Sequence, residues 1–335
     1  MDLEDLILQT AILTSASFIL GIIYNYEVRK ISARLQSRKG PWLIVPRPLR
    51  KSLGTTRIFQ PLYDIIKLLC KETIIPSTAR KRLFIAAPLI AFLCLVGASA
   101  IVPIGGYSDL SSFDLSLVAL LYLLLGVPFA FILGGSVSSS PWGILGGQRE
   151  ADLMLAYETP IVIGAFTTAM MAGSMSIKKI QVAQTLSLPY LILNPFAAVA
   201  VLLGIIGKLH LKPFDIPEAE VEVVAGPVTE YSGKLLGVIE INKMLLTSVC
   251  TGLFVDLFMA GGAIPGLNLH SPVTVLTYVI EGLLVVAVAS LIHTSNPRFR
   301  IDQTLEWYVR TPIILAVIGL CWAYILRYIY PTLSG

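Results

Sequence analysis

Charged side chains are scarce in this sequence: Asp, Glu, Lys and Arg make up 14% of its 335 residues, where ordinary globular chains carry about a quarter. That scarcity excludes a water-soluble fold, the more so because 55% of the residues are hydrophobic and the mean hydropathy is +0.78. Cysteine is almost absent. Cys70, Cys94, Cys250 and Cys321 show no C-x-x-C spacing, which argues against a metal or disulfide framework and for small apolar packing residues. The three histidines, His210, His270 and His293, contain no pair spaced to bind zinc or haem from one helix. No G-x-x-x-x-G-K-[ST] nucleotide loop occurs. The chain is therefore expected to carry no metal, cofactor or catalytic residue of its own, so that any redox chemistry it serves belongs to other subunits. No repeat at a fixed period is seen, which weakens a transporter built from two related halves.

Apolar runs of membrane length are what the sequence has in abundance. Crossing about 30 Å of hydrocarbon at about 1.5 Å per residue takes about 20 residues. Such runs fall near residues 6–23, 83–104, 115–133, 153–172, 188–206, 235–259, 273–292 and 311–330. The expected fold is all-α, a polytopic membrane protein with about eight transmembrane helices forming a single membrane domain over residues 1–335. The first run follows an acidic start, Met1-Asp2-Leu3-Glu4-Asp5, not a basic one, and is expected to be a retained helix. Basic residues set the orientation. Residues 25–82 hold 14 of the 25 Lys and Arg, and the other long loops, 134–152, 207–234 and 293–310, add Arg149, Lys208, Lys212, Lys234, Arg298, Arg300 and Arg310. Only Lys178, Lys179 and Arg327 lie opposite. The positive-inside rule makes the odd loops cytoplasmic and both termini external. The net charge of +4 is then a product of topology and calls for no nucleic-acid partner. Within the first loop, TRIFQPLYDIIKLLCKE at 56–72 places Ile58, Leu62, Ile65, Ile66 and Leu69 at helical spacing, an amphipathic helix suited to the membrane interface.

Ionisable residues inside the spans are the sharper signal, because a charge near the bilayer centre costs at least about 2.5 kcal/mol. They are Glu158, Glu240, Lys243, Asp256 and Glu281. Glu240 and Lys243 share a helix face and can neutralise each other. Glu158 and Glu281 have no such partner on their own helices, which marks them as groups able to change protonation; the alternative is a packing role as a protonated carboxyl or buried ion pair. The loop KPFDIPEAEVEVVAGPVTEYSG at 212–233 carries Asp215, Glu218, Glu220, Glu222 and Glu230. Asp215 is expected to cap a short helix with Glu218 completing a capping box and Gly226-Pro227 ending it. Glu218 and Glu222 would then stack one turn apart, and their repulsion would raise carboxyl pKa values. A merely solvated acidic loop is the other reading.

That loop, together with ARLQSRKGP at 33–41, QPLYDIIKLLCKE at 60–72, LGGQREADLMLAYE at 145–158 and RFRIDQ at 298–303, resembles the subunit 1 family. Its members are the membrane subunits of respiratory complex I and of energy-converting hydrogenases that contact the peripheral redox arm. The resemblance implies that the cytoplasmic loops form a floor beneath the last electron-transfer site and that buried glutamates begin a path coupling electron transfer to ion movement. By resemblance the path would comprise Tyr157, Glu158, Asp215, Glu218, Glu220 and Glu222; Glu240, Lys243 and Glu281 are counted with it as ionisable residues inside spans. The peripheral-arm interface would by resemblance comprise Arg38, Gln60, Asp64, Lys67, Arg149, Glu230, Tyr231, Arg298, Arg300 and Asp302, with His210 and Lys212 counted beside them.

Departures from the family pattern narrow the expectation. Quinone-reducing members commonly read E-T-N-R-x-P-F-D before the acidic loop, whereas Lys208-Leu209-His210-Leu211-Lys212-Pro213-Phe214-Asp215 lacks the arginine. Lys243 stands where those members have a glutamate, with Glu240 one turn earlier; the E-R-K opening becomes Glu27-Val28-Arg29-Lys30, and 18 residues separate Pro41 from Gln60. These changes resemble the ferredoxin-linked branch, membrane-bound nickel–iron hydrogenases and sulfane-sulfur reductases. The resemblance implies a membrane anchor and coupling subunit in the plasma membrane of a prokaryote, linking ferredoxin-fed electron transfer to proton or sodium translocation. Its partners would be iron–sulfur and hydrogenase-like peripheral subunits, which hold the iron–sulfur clusters and nickel–iron, and antiporter-like membrane subunits. Two alternatives stand beside it: the quinone-site subunit of an NADH– or ferredoxin–quinone oxidoreductase, and a stand-alone secondary transporter, for which Asn194-Pro195 is the one hint of a broken helix.

Overall fold

The computed structural model describes residues 3–38, 40, 59–263 and 271–329. These residues form helices α1 (Leu3–Leu35), α2 (Gln60–Leu69), α3 (Lys81–Ile101), α4 (Ser116–Val137), α5 (Pro141–Ala172), α6 (Ile177–Leu186), α7 (Pro195–Lys208), α8 (Gly233–Phe258), α9 (Pro272–Ser295), α10 (Ile301–Tyr308) and α11 (Ile314–Ile329). No strand forms among the described residues. A five-residue π-helical stretch, Val309–Ile313, joins α10 to α11 around Pro312, so the two run on as one rod.

Among the described residues seven helices are long and apolar enough to cross a membrane: α1, α3, α4, α5, α8, α9 and the α10–α11 rod. The expected eighth, at 188–206, is realised differently. A single turn at Tyr190–Leu193 is broken from α7 by Asn194, at φ −138° and ψ 72°. The Asn194 side chain accepts the Ala197 N–H at 3.2 Å, and Pro195 has no N–H to continue the preceding turn. The remaining 14 residues of α7 reach only about 21 Å, short of the hydrocarbon thickness. Their C-terminal end is inside the protein, where Lys208 is 2% exposed. The acidic loop therefore starts from the interior.

Helix ends also differ from the apolar runs. α1 continues twelve residues beyond 23 and carries Glu27, Arg29, Lys30 and Arg34, assigned above to a loop; α5 begins twelve residues before 153 and takes in Arg149, Glu150 and Asp152. Apolar runs report burial in lipid, whereas Glu, Arg and Lys propagate a helix as well as Leu does. The amphipathic helix of the first loop forms as α2, with Pro61 and Ile65 buried against α1 and α8 and Ile66 and Leu69 exposed. Its expected beginning at Thr56 lies outside the described residues. α8 is the most enclosed span, packed by α1, α2 and α3, while α5 lies between α4, α7 and α11.

Candidate functional site

On α5, Glu150, Tyr157 and Glu158 are seven and eight residues apart, two turns at 3.6 residues per turn, and so share one face. The Tyr157 hydroxyl donates to Glu150 Oε1 at 2.8 Å, and both side chains are almost wholly buried. α7 runs antiparallel to this face. A Cβ on Gly207 would strike the Tyr308 hydroxyl and lie 3.0 Å from Tyr157 Cβ, so glycine is what lets the end of α7 come this close. Lys208 Nζ consequently pairs with Glu158 Oε1 and sits 5.5 Å from the centre of the Tyr157 ring.

One residue beyond, the chain turns. His210 adopts φ 50° and its N–H donates to Gly207 O at 3.0 Å, a left-handed helix end that costs a non-glycine residue about 1–2 kcal/mol. That turn aims the imidazole at α5: Nε2 lies 2.8 Å from Glu150 Oε2 as an ion pair without the alignment of a straight hydrogen bond, and Nδ1 lies 4.0 Å from Glu218 Oε1. Glu218 is held from the other side by Lys243 of α8 at 2.7 Å, with Glu240 3.8 Å from the same ammonium. Glu150, Tyr157, Lys208, His210, Glu218 and Lys243 line a cavity of about 150 Å³ whose remaining wall is mostly apolar, including Val127, Phe131, Leu246 and Val285, with Asn25, Thr247 and Thr251 among them.

The electrostatics follow from this placement. Burial disfavours the His210 imidazolium, but the Glu150 carboxylate, and Glu218 behind it, more than compensate and hold its pKa above the usual 6.5. Burial likewise pushes Glu218 up, and Lys243 with His210 outweighs it, leaving the carboxyl below its usual value. For Glu218 the expected rise through carboxylate repulsion does not occur, because it takes Lys243, while two further acids of the loop take cations of their own. Asp215 pairs with Arg298 at 2.6 Å and Glu222 with Arg149 at 2.6 Å, so Glu218 and Glu222 do not stack. Nor does Asp215 cap a helix: only the turn Glu220–Val223 forms, preceded by Ala219 without a side-chain cap. The side chain of Glu220 lies outside the described residues. A Cβ on Gly146 would be 2.5 Å from Gly226 Cα, so two glycines press the loop onto α5.

The other residues named from the sequence fall into separate places. Phe299 N–H donates to Pro213 O at 3.1 Å and Phe214 packs against Trp307 and Tyr308, which joins the 298–303 motif to the loop. The Lys212 N–H donates to His293 Nδ1 at 2.8 Å. Tyr231 stacks on Phe84 and donates to its carbonyl at 3.0 Å, a structural role, with half-buried Glu230 beside it. Asp64 pairs with Arg29 at 3.1 Å; Gln60 is half-buried, and Arg38, Lys67, Arg300 and Asp302 are exposed. None of these lines the cavity. Glu281 belongs to another cluster, with Asp256. Two members of the site are absent from the sequence reading. Glu150 was signalled by its spacing from Tyr157 and Glu158; Lys208 looked like a loop cation and is the buried partner of Glu158, which therefore is not unpaired.

Comparison with known proteins shows the family. Residues 8–324 match the profile of the NADH dehydrogenase family, which is that of complex I subunit 1. The chain belongs to that family. It is 34% identical over 302 residues to the H subunit of the NADH-quinone oxidoreductase of Syntrophotalea carbinolica, covering 85% of each chain. Against the corresponding subunit of Bacillus thuringiensis the identity is 32% over 304 residues, covering 87% of this chain and 85% of the relative. Among solved structures, a chain of the membrane-bound sulfane sulfur reductase, an archaeal respiratory membrane complex, superposes with a TM-score of 0.83 at 25% identity, covering 95% of this chain and 99% of that one. This family member is accordingly a multi-pass membrane subunit of a respiratory oxidoreductase complex.

Proposed function

We propose that the chain is the membrane anchor and coupling subunit of a ferredoxin-linked complex, a nickel–iron hydrogenase or sulfane-sulfur reductase, and that protonation of His210 links partner reduction to proton or sodium translocation. The observation that carries this is where the imidazole sits. Four acids, Glu150, Glu158, Glu218 and Glu240, face two ammonium groups, Lys208 and Lys243, so the cluster has an excess of acids that a proton on His210, 2.8 Å from Glu150 and 4.0 Å from Glu218, reduces. In a low-dielectric interior an unbalanced charge is costly, and an electron arriving nearby on a partner would draw a proton to this group. The long loops would face the cytoplasm of a prokaryotic cell, beneath iron–sulfur and hydrogenase-like subunits that hold the redox centres, with antiporter-like subunits moving ions alongside.

The size of the cavity supports this over a quinone site. About 150 Å³ is below the roughly 300–1,000 Å³ of pockets that enclose a drug-sized ligand, and its polar end is occupied by paired charges. The quinone-linked reading keeps the support of the two NADH-quinone oxidoreductase relatives. A stand-alone transporter gains none, because at the break the Asn194 side chain caps Ala197 and donates to Gly319 O at 2.8 Å, while Trp322 donates to Leu193 O. The test is the intact complex in sealed vesicles, driven by reduced ferredoxin, with His210→Gln beside wild type. Glutamine can still donate toward Glu150 but does not titrate. The expected result is assembly and electron transfer with the ion gradient lost; wild-type values for both in the variant would refute the proposal, and quinone-dependent turnover would favour the alternative.

A further inference from the structure

The end of the bundle where α3 begins carries a charge imbalance that the cavity does not use. Between Cys70 and Leu83 the sequence has Lys71, Arg80, Lys81 and Arg82 against a single acid, Glu72. Lys234, at the start of α8, stands beside them, and all five cations are exposed. Among the described residues none of the five forms an ion pair, and none lines the cavity.

The connector from α2 to α3 is fixed to its neighbours without using these charges. The Ile74 N–H donates to Ser232 Oγ at 3.0 Å, and that hydroxyl donates back to Ile74 O at 3.0 Å. The Lys234 N–H donates to Thr73 Oγ1 at 3.2 Å. Further along, the Ser139 hydroxyl donates to Thr78 O at 3.0 Å and the Arg80 N–H to Val137 O at 3.3 Å. The connector is thus strapped to the start of α8 and the end of α4, and its basic side chains are held at one level.

That level follows from the helix lengths. α3 has 21 residues and α4 has 22, about 32 and 33 Å at about 1.5 Å per residue, so each just crosses about 30 Å of hydrocarbon. Lys81 and Arg82, in the first turn of α3, and Val137, at the end of α4, therefore stand at headgroup depth. Apolar side chains accompany them. Ile66, Leu69, Ile74 and Leu83 are exposed, and Leu69 comes within 3.0 Å of where a Cβ on Gly237 would sit, one turn into α8. Long basic side chains can lay their stems along such apolar surface while the charged heads reach outward. Three of the five cations are lysines, which are depleted where proteins meet proteins. A leaflet, with phosphates above acyl chains, matches both the charge and the apolar rim.

We propose that Lys71, Arg80, Lys81, Arg82 and Lys234 form a docking surface for anionic phospholipid headgroups, with the acyl chains covering Ile66, Leu69 and Leu83. Each cation near an anionic leaflet favours it by roughly fivefold, and salt screens the attraction over about 8–10 Å. The surface lies apart from the cavity and requires no movement of protons.

The test is the intact complex in bilayer nanodiscs containing either a photoreactive phosphatidylglycerol or the matching phosphatidylcholine. Lipid attachment to residues 70–83 is read by mass spectrometry. The expected result is at least about tenfold more attachment from phosphatidylglycerol at low salt, falling as salt is raised. The variant Arg80→Gln, Lys81→Gln, Arg82→Gln is expected to lose that excess. Equal attachment from the two lipids in wild type overturns the proposal. So does a triple variant that keeps the lipid excess, and if it also loses a peripheral subunit the cations belong to a protein partner. Should the triple variant fail to assemble, Lys71→Gln, Lys234→Gln is expected to lower the excess several-fold, and an unchanged excess there overturns the proposal equally.

Discussion

Two carboxyl clusters share the interior of this bundle and differ in what neutralises them. Around the cavity, Glu150, Glu158 and Glu218 each face a cation delivered by a different element: the turn after α7, the end of α7 and the middle of α8. At the far end of α8, Asp256 and Glu281 face an amide and phenols. The difference traces to the half-length α7. Because it stops in the interior, it can bring Lys208 and His210 to acids on α5, whereas the helices around Asp256 meet it with Gln181, Gln184, Tyr278 and Tyr24 and, among the described residues, with no cation. Removing one partner of a buried pair strands a charge, but neutralising an unpaired carboxyl strands nothing.

The largest expected effect lies at the paired cluster. Lys208→Met leaves Glu158 buried opposite an apolar chain and should destabilise the protein by about 3–5 kcal/mol, read as a lower unfolding midpoint of the detergent-solubilised complex. Asp256→Asn should cost less than about 1 kcal/mol in the same assay, since its hydrogen bond survives. The Glu158→Gln, Lys208→Met double variant should recover part of the loss. Equal destabilisation by Lys208→Met and Asp256→Asn would erase the distinction between the clusters.

A smaller effect is expected from pH. His210 has its pKa raised in the fold, so its contribution to stability is complete below about pH 6.5 and is lost as pH rises through the raised value. Glu218, lowered, contributes above its ordinary 4.5 and loses that contribution only as pH falls through its folded value. Melting measured upward from mildly acid pH should therefore show a decline that His210→Gln abolishes; an unchanged slope in the variant would assign the decline elsewhere. Smallest is Asn194→Ala, which removes the α7 cap and the bond to Gly319 O at a cost of about 1 kcal/mol. It lies at the other end of α7 from Lys208 and should leave the ion gradient intact in sealed vesicles.

How much of this was legible in the sequence depends on which force fixed each feature. Lipid burial writes itself as apolar runs, so the long spans were readable to within a turn or so at their apolar ends. The polar extensions of α1 and α5 were not, because residues 24–35 and 141–152 scatter their apolar side chains among charged ones and glycines and form no apolar run. Asn194-Pro195 was visible, but its consequence was not: a transporter-like break and an internally capped helix start look alike until Gly319 and Trp322 are seen to satisfy it. In the site, Glu158, Glu218 and Lys243 were identifiable as ionisable groups near or within spans. Their partners depend on where α7 ends, which is a packing result. The chain-local pairing of Glu240 with Lys243 survives only as the longer contact, at 3.8 Å, after Glu218 has taken the ammonium at 2.7 Å.

The most direct measurement is proton uptake when the assembled complex is reduced by ferredoxin in weakly buffered solution near neutral pH, followed with an indicator dye. Wild type should take up a proton as the partner's centres fill, and His210→Gln, reduced to the same extent, should not. Equal uptake by the two proteins would contradict the assignment of the coupling proton to His210 and the carboxylates that face it.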